Sequence, residues 1–416
     1  MKTIAYLANQ YPNCIETYVS EEIEALRNRG VVVLACSVFS PQPQSSTPKL
    51  KDLEQDTLYL SRVRARNLLR ALLLSLARFG VLWTFCSYAL WRENEPLPRR
   101  LKALLHTLVG AYFGACLLDE QVDHIHVHHG FFGAWVAMVA ARMLRIGYSM
   151  TLHGSDLLVH HAFLDIKLRN CDFCYTVSEY NREFILRNYP AIDRSKLLLR
   201  RLGVATPTCT DLAPVFSKPR PLFVVLSVGR LHAVKNYKFL IDAIAVLKSR
   251  GIAILCLIAG EGPERQQLES QIAHNHLHRE VKLLGHVARE DLESVYAMVD
   301  IVALTSVSEG LPVSLMEAMS YGCIVLAPAM TGLPELVVDE TTGFLYEANS
   351  LESFVSRLKF IARSLEKIHS VRNAAQEYIH TFFDRDRNLQ AFVDSLLQRI
   401  SPRIGVCRED PVLQQI

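Results

Sequence analysis

Glu309 and Glu317 lie in a stretch, Ser306 to Gly322 (SVSEGLPVSLMEAMSYG), whose residue types and spacing suggest chemistry. Between them, Gly310 lets the backbone approach a ligand closely, and Pro312 suits the first position of a helix, where its missing N–H costs nothing. The N–H groups of Leu311, Val313 and Ser314 would then lack partners, and the helix dipole favours an anion beside them, a phosphate best of all. Carboxylates are poor phosphate ligands, so Glu309 and Glu317 are expected to hold hydroxyls. A phosphate with polyhydroxylated groups on both sides describes a nucleotide sugar, one glutamate meeting the ribose and the other the transferred hexose. The plain alternative is a pair of solvated acids near a helix N-terminus, where acids are common.

Such a stretch needs a strand before it and a helix within it. DIVALTS, Asp300 to Ser306, fits a buried parallel strand, and Val313 to Tyr321 has apolar periodicity closed by Gly322. A second strand, FVVLSVGRL, ends in a short loop flanked by Arg230 and Lys235. Arg offers a planar fork for phosphate oxygens and Lys a compact charge, so both are placed to meet a diphosphate. GEGPER, Gly260 to Arg265, has an arginine where G-x-G-x-x-G needs its third glycine. Gly260 and Gly262 are therefore expected to shape a turn beside the nucleotide rather than to bind a dinucleotide.

Five motifs occur in a characteristic order: SVGRLHAVKN (227–236), LIAGEGPER (257–265), LLGHV (283–287), SEGLPVSLMEA (308–318) and GLPELVVDETTGFL (332–345). In them the chain closely resembles the retaining GT-B glycosyltransferases of family 4, from about Ile4 to Asn388 and most strongly from Phe223 to Leu345. The resemblance implies an α/β chain with two doubly wound Rossmann-like domains facing across a cleft. Residues 1–205 would form the acceptor-binding domain, 206–221 a hinge linker rich in Pro, Thr and Ser, and 222–380 the nucleotide-sugar domain, with 381–416 crossing back as helices. It also implies that Glu309 acts on the transferred sugar and Glu317 on the ribose. Val287 would lie where the base is read by backbone groups, and Ser178 where a strand ends at the cleft.

In Thr151 to Asp156 (TLHGSD), a histidine at a strand's carboxyl end followed by glycine is placed where open α/β sheets bind ligands. The family's matching histidine contacts the transferred sugar, which makes His153 the expected catalytic residue of the first domain, with a structural histidine as the alternative. YPNCIETYVSEEIEAL (11–26) lacks the family's frequent Gly-Gly and resembles the P-x-x-S-E-T-F-I-x-x-E-I opening of a bacterial subset associated with exopolysaccharide assembly, Cys14 and Ile15 standing where that pattern varies. Glu16 and Thr17 are then acceptor or donor contacts, or else caps of the helix they precede. LGVA, 202–205, departs from the usual Gly-Val-Asp close of this domain.

The whole composition agrees with a globular chain of two or three domains. The 416 residues are half apolar, and a net charge of +3 implies no nucleic-acid partner. Ten cysteines are mostly scattered; Cys171 and Cys174, within an expected strand, have no second pair to complete a zinc site, which suggests thiols in a reducing cytosol. MKTIAYLANQYP starts as a strand, without the form of a signal peptide. His124, His126 and His128 could converge on one face of a strand, yet no carboxylate or cysteine follows at ligand spacing. Asp384 and Asp386, in FDRDRN, open a terminal helix rather than end a strand, so no metal or other cofactor is expected.

Residues 60–119 differ in character. From Arg62 to Lys102 there are nine basic residues against two acidic ones. Arg62, Arg66 and Arg70 fall on one side of a helix, with Leu69, Leu72, Leu76 and Phe79 near the other. Such a helix can lie on anionic lipid at roughly 1 kcal/mol per basic residue. The uncharged run Phe79 to Trp91 is shorter than the ~18–20 residues of a membrane span. A cytoplasmic protein, peripheral at the inner face of the membrane through 62–104, is expected, with core helices as the alternative.

The combined reading is metal-free transfer of a hexose from a nucleotide sugar to a glycan or lipid-linked oligosaccharide. The resemblance implies retention by same-face attack, and closure about the linker would exclude water. Arg230, Lys235 and the helix start would stabilise the leaving diphosphate. A GT-B phosphorylase or sugar-nucleotide epimerase, and a non-catalytic membrane partner, stay open as alternatives, as do the donor base (uridine or guanosine), the hexose and the acceptor.

Overall fold

The computed structural model describes residues 2–13, 16–40, 48–92, 94–205 and 223–400. Cys14, Ile15, the whole of the expected hinge at 206–221 and the last residues, 401–416, lie outside them. The chain divides into two units. The first comprises residues 1–177, 181–200 and 389–416, and the second 178–180 and 201–388.

The first unit is built on seven parallel strands: β1 (Thr3–Gln10), β2 (Val32–Phe39), β3 (Leu58–Tyr59), β4 (His124–His128), β5 (Gly147–Leu152), β6 (Phe173–Thr176) and β7 (Leu197–Leu199). Their spatial order is β3-β2-β1-β4-β5-β6-β7, with Ile4 opposite both Val33 and His124. Chain order therefore reverses between β1 and β4, which opens a crevice at their carboxyl ends. β4 is buried at every position and helix Phe132–Leu144 is apolar nearly all round, as expected where helices cover both faces of a parallel sheet. Helix Thr17–Asn28 buries Val19, Ile23 and Leu26 against β1 and β2, and Glu22 lies within the same stripe. The final helix, Arg385–Arg399, adds Phe392, Val393 and Leu396 to this core.

The second unit repeats the design with β8 (Phe223–Val228), β9 (Ile254–Ala259), β10 (Val281–Gly285), β11 (Ile301–Ala303), β12 (Ile324–Pro328) and β13 (Phe344–Tyr346), in the order β10-β9-β8-β11-β12-β13. Its reversal lies between β8 and β11, where Ile301 is in register with Val225. Each sheet is doubly wound, with one reversal of strand order.

The basic segment departs from expectation. Helices Ala65–Ala77 and Phe79–Trp91 meet at an 89° bend beside Arg78, and both pack on helix Leu97–Cys116. Much of the positive charge is neutralised within the fold: Arg66 and Arg70 pair with Asp119, Arg92 with Asp165 and Arg99 with Glu95. Arg78 is buried and Arg100 donates to the carbonyls of Ala89 and Leu90. The apolar half of the pattern does stay outside, with Leu69, Leu72, Leu76 and Phe79 all more than half exposed. Among the described residues no single helix is long and apolar enough to cross a membrane; the bent pair together reaches that length and composition.

Candidate functional site

In the second unit, β8 and β11 end side by side, and the loops that follow carry the expected donor residues. After β8 the chain passes Gly229 and exposed Arg230, buries Leu231 as an anchor, and makes a short turn, Ala233–Lys235, before helix Tyr237–Ser249. After β11 it passes Ser306 and Glu309 and enters helix Val313–Ser320. The loops are joined by backbone and side chain: Val307 N–H donates to the Val234 carbonyl at 2.9 Å and Thr305 Oγ1 to the Lys235 carbonyl at 2.9 Å. Across them, Lys235 Nζ meets Glu309 Oε1 at 2.6 Å, both side chains at least 80% buried. The presumed phosphate cation and the presumed sugar carboxylate thus satisfy one another at the sheet's switch point.

Pro312 is the N-cap of helix Val313–Ser320 rather than its first residue, because its ψ of 119° is extended and its carbonyl accepts from Leu315 N–H. The consequence for the anion site is unchanged: Val313 and Ser314 still precede the first internal helical bond. Leu311 is buried beneath this end. Gly310 lies against Gly332, where a Cβ would stand 3.2 Å from the Gly310 carbonyl oxygen and from the Ser178 side chain. Ser178, expected where a strand ends at the cleft, is fully buried at that contact.

Glu317, one turn further on, faces a cavity of about 220 Å³ shared with Tyr296, Tyr321 and Arg385, with Tyr296 Oη 3.4 Å from its carboxylate. Gly260 and Gly262 bring the β9 loop under the β8 loop. A Cβ on Gly260 would stand 1.9 Å from the Gly229 oxygen, and one on Gly262 would stand 2.4 Å from that of Leu231. The bond from Leu231 N–H to the Glu261 carbonyl, 2.9 Å, depends on that approach. Val287, two residues beyond β10, is half-buried. Asp384 accepts from Arg387 N–H at 2.8 Å and Asp386 pairs with Arg385, the behaviour of helix-start acids.

In the first unit, His153 follows β5 and enters a network not foreseen from the sequence. Its Nε2 is 3.0 Å from His128 Nδ1, and His128 Nε2 is 2.8 Å from the Glu22 carboxylate. Glu22, wholly buried, also takes the Arg200 guanidinium and the Tyr6 hydroxyl. Burial opposes its charge, but Arg200 first and then His128 outweigh this and lower its pKa. An ionised Glu22 only accepts, so His128 donates through Nε2. When His128 Nδ1 carries no proton, His153 donates to it and keeps its own Nδ1 as an acceptor. Asp156 fixes the backbone here, accepting from the N–H groups of His153, Gly154 and Gly130.

Charge is divided between neighbouring rings. Burial lowers the pKa of His153 well below the usual histidine value, and the positive charge at His129 lowers it further. His129, whose ring centroid is 4.5 Å away, goes the other way: burial alone would lower its pKa, but Asp156 and Glu16 raise it to about 10. Glu16 sits at the N-cap of helix Thr17–Asn28 without a side-chain cap; its carboxylate meets His129 Nε2 at 3.1 Å instead. Half-buried Thr17 begins the helix, and Tyr18 stacks on His153 at 4.9 Å. The site thus presents a neutral imidazole beside a paired imidazolium.

His126 and His128 do converge, and Glu22 supplies the carboxylate that sequence spacing did not reveal, their ligand atoms lying within 4.8 Å of one another. This trio does not suit a metal. Arg200 holds Glu22, and His126 is satisfied at both nitrogens by Ser149 (2.8 Å) and Thr151 (3.1 Å), while His124 also reaches Ser149 at 2.8 Å. A guanidinium in the shell would repel a dication. The signal for Glu22 was present as a carboxylate inside the Val19, Ile23, Leu26 stripe, where burial requires a partner.

Two family models match the chain in tandem: Glycosyltransferase Family 4 over residues 15–206 and Glycosyl transferases group 1 over 212–378. WcaL of Escherichia coli, named for colanic acid biosynthesis, is 30% identical over 49% of this chain and 52% of its own length. The amylovoran biosynthesis glycosyltransferase AmsK of Erwinia amylovora is 27% identical over 63% of this chain and 67% of its own. The match thus spans about half of one relative and two thirds of the other. Among solved structures, Anabaena HepE in complex with UDP superposes with a TM-score of 0.68 over 96% of this chain and all of that one, at 18% identity.

Proposed function

Because the chain belongs to the glycosyltransferases, Family 4 in its amino-terminal half and group 1 in its carboxyl-terminal half, we propose that it transfers a hexose, with retention of configuration, from a nucleoside diphosphate sugar to a glycan or lipid-linked acceptor during assembly of an exopolysaccharide or cell-envelope polysaccharide. The observation that carries this reading is the Lys235–Glu309 pair at the β8–β11 switch point, beside the start of helix Val313–Ser320. Donor binding would exchange that pair: a phosphate oxygen takes Lys235 and a hexose hydroxyl takes Glu309. Arg230 and the N–H groups of Val313 and Ser314 add positive field where charge develops on the leaving diphosphate, a role that elsewhere falls to a metal. With no covalent nucleophile assigned, the departing phosphate oxygen accepts the acceptor's proton as the acceptor oxygen bonds to the anomeric carbon on the same face. His153, neutral and ordered by His128, Asp156 and Tyr18, supplies a hydrogen-bond partner for the sugar. The relatives' names support the polysaccharide setting, and the exposed leucines of residues 62–104 support contact with a membrane surface.

Calorimetry with EDTA present, against UDP- and GDP-sugars, tests the proposal; UDP-glucose leads because HepE is solved with UDP and with UDP-glucose. One donor is expected to bind, with Lys235→Ala and Glu309→Ala each weakening it about ten- to a hundredfold. The free nucleotide separates their roles. Glu309→Ala leaves nucleoside diphosphate binding intact or tighter, since Lys235 loses its competitor, whereas Lys235→Ala weakens it. If wild type binds no nucleotide at millimolar concentration, the reading falls and a non-catalytic membrane partner replaces it.

A further inference from the structure

The first unit holds a cavity of about 770 Å³ to which nothing above gives an occupant. It lies at the carboxyl end of the sheet, with Asn9 of β1, Phe39 of β2 and Phe131 after β4 in its walls. One face of helix Leu97–Cys116 completes it, presenting Lys102, Leu105 and Val109 one above the other. Its charged lining residues are all basic, Arg99 keeping Glu95 as a partner outside the lining. Arg99, Lys102 and Lys167 line it, and among the described lining residues there is no carboxylate. Lys102 Nζ stands 4.8 Å over the Phe132 ring, and buried Lys167 donates at 2.7 Å to the carbonyls of Gly130 and Ala162.

The cavity meets the exposed apolar surface at Leu105, which lines it and is itself 59% exposed in a row with Leu101 and Leu108. The helices packed on this one expose Leu69, Leu72, Leu76, Trp83 and Trp91. Such walls, mostly apolar and with Asn9 as the one amide among the described lining residues, do not suit a free sugar, which calls for several carboxylates and amides to meet its hydroxyls. A bare phosphate would use the cations and leave the apolar walls wet. An anion with an apolar chain satisfies both.

We propose that this cavity binds the phosphate and the adjoining chain of a lipid-linked acceptor, with Lys102 and Arg99 on the phosphate and the chain leaving past Leu105 along the exposed leucines. This names the class of acceptor for the transfer proposed above and rests on that reading.

The test is calorimetry of the full chain with farnesyl phosphate, inorganic phosphate, farnesol and short-chain phosphatidylglycerol, in wild type, Lys102→Glu and Leu105→Asp. Both substituted residues are exposed, so both variants should fold, and their nucleotide-sugar binding should equal that of wild type. Farnesyl phosphate is expected to bind wild type at least about tenfold tighter than the other three probes, and each variant to lose about tenfold or more. Equal binding of farnesol, or unchanged affinity in both variants, would overturn the phosphate site. Equal binding of phosphatidylglycerol would overturn the acceptor assignment, because any membrane lipid would then serve. Nucleotide-sugar binding in the same samples separates the two readings. Donor binding without farnesyl phosphate binding sinks the lipid site alone; farnesyl phosphate binding without donor binding sinks the transfer reading and, with it, the assignment of that lipid as an acceptor.

Discussion

His124, His153 and His129 are three histidines with two opposite dependences on acid. Burial and then the charge of Lys2 lower the pKa of His124 to about 3, against about 6.5 for a histidine in the unfolded chain. Below pH 6.5 the unfolded chain takes up a proton there that the native chain refuses, so stability falls as pH drops from 6.5 towards 3, by about 1.4 kcal/mol per pH unit. His153 adds to this slope. His129 is raised to about 10, so its contribution is complete below 6.5 and is lost as pH rises to 10. Stability should therefore peak near neutrality. Urea unfolding from pH 5 to 9 checks this: His124→Gln should flatten the acid limb by about 1.4 kcal/mol per pH unit and leave the alkaline limb alone. An unchanged acid limb would mean that His124 is not held neutral.

At the scale of elements, the proposed donor site is a matter of loops brought close enough to share hydrogen bonds. Gly262→Ala places a Cβ 2.4 Å from the Leu231 oxygen, which is backbone and cannot swing aside. The variant should lose about 2–3 kcal/mol of stability in denaturant and weaken nucleotide binding, since Leu231 anchors the loop bearing Arg230 and Lys235. Gly80→Ala, with nothing within 4 Å of the new Cβ and a helical setting, is the control and should gain up to about 1 kcal/mol. This contrast also marks what the sequence could say. Helix Val313–Ser320 and the strands β8 and β11 were legible because apolar runs and Gly322 punctuate them. Lys235, Glu309, Gly260 and Gly262 were legible because motif order constrains them. The partnership of Lys235 with Glu309 was not, since the two are joined only by register between neighbouring loops. The Glu22–Arg200 pair was hidden for the same reason, and a count of basic residues from 62 to 102 could not reveal that Asp119, Asp165 and Glu95 neutralise several of them.

For the molecule as a whole, the final helix matters most. Residues from Leu389 onward belong to the first unit, where Phe392, Val393 and Leu396 join its core and Lys2 Nζ donates to the Ile400 carbonyl at 2.9 Å. Burial of those three side chains contributes roughly 2 kcal/mol each. A chain ending at Asn388 should therefore melt about 12–24 °C lower in the first unit while still binding donor nucleotide through the second. Calorimetric unfolding with and without nucleotide checks this, and loss of nucleotide binding by the shortened chain would contradict it. The same arrangement fixes an order of birth. As the chain emerges from the ribosome, the sheet made first still lacks part of its core, whereas the core of the second unit is complete with Ile361, Ile368 and Val371, ahead of Phe392, Val393 and Leu396. The half synthesised last is thus the first that can close, and the half synthesised first must keep Tyr6, Ile23 and Phe173 from other partners until the final helix arrives.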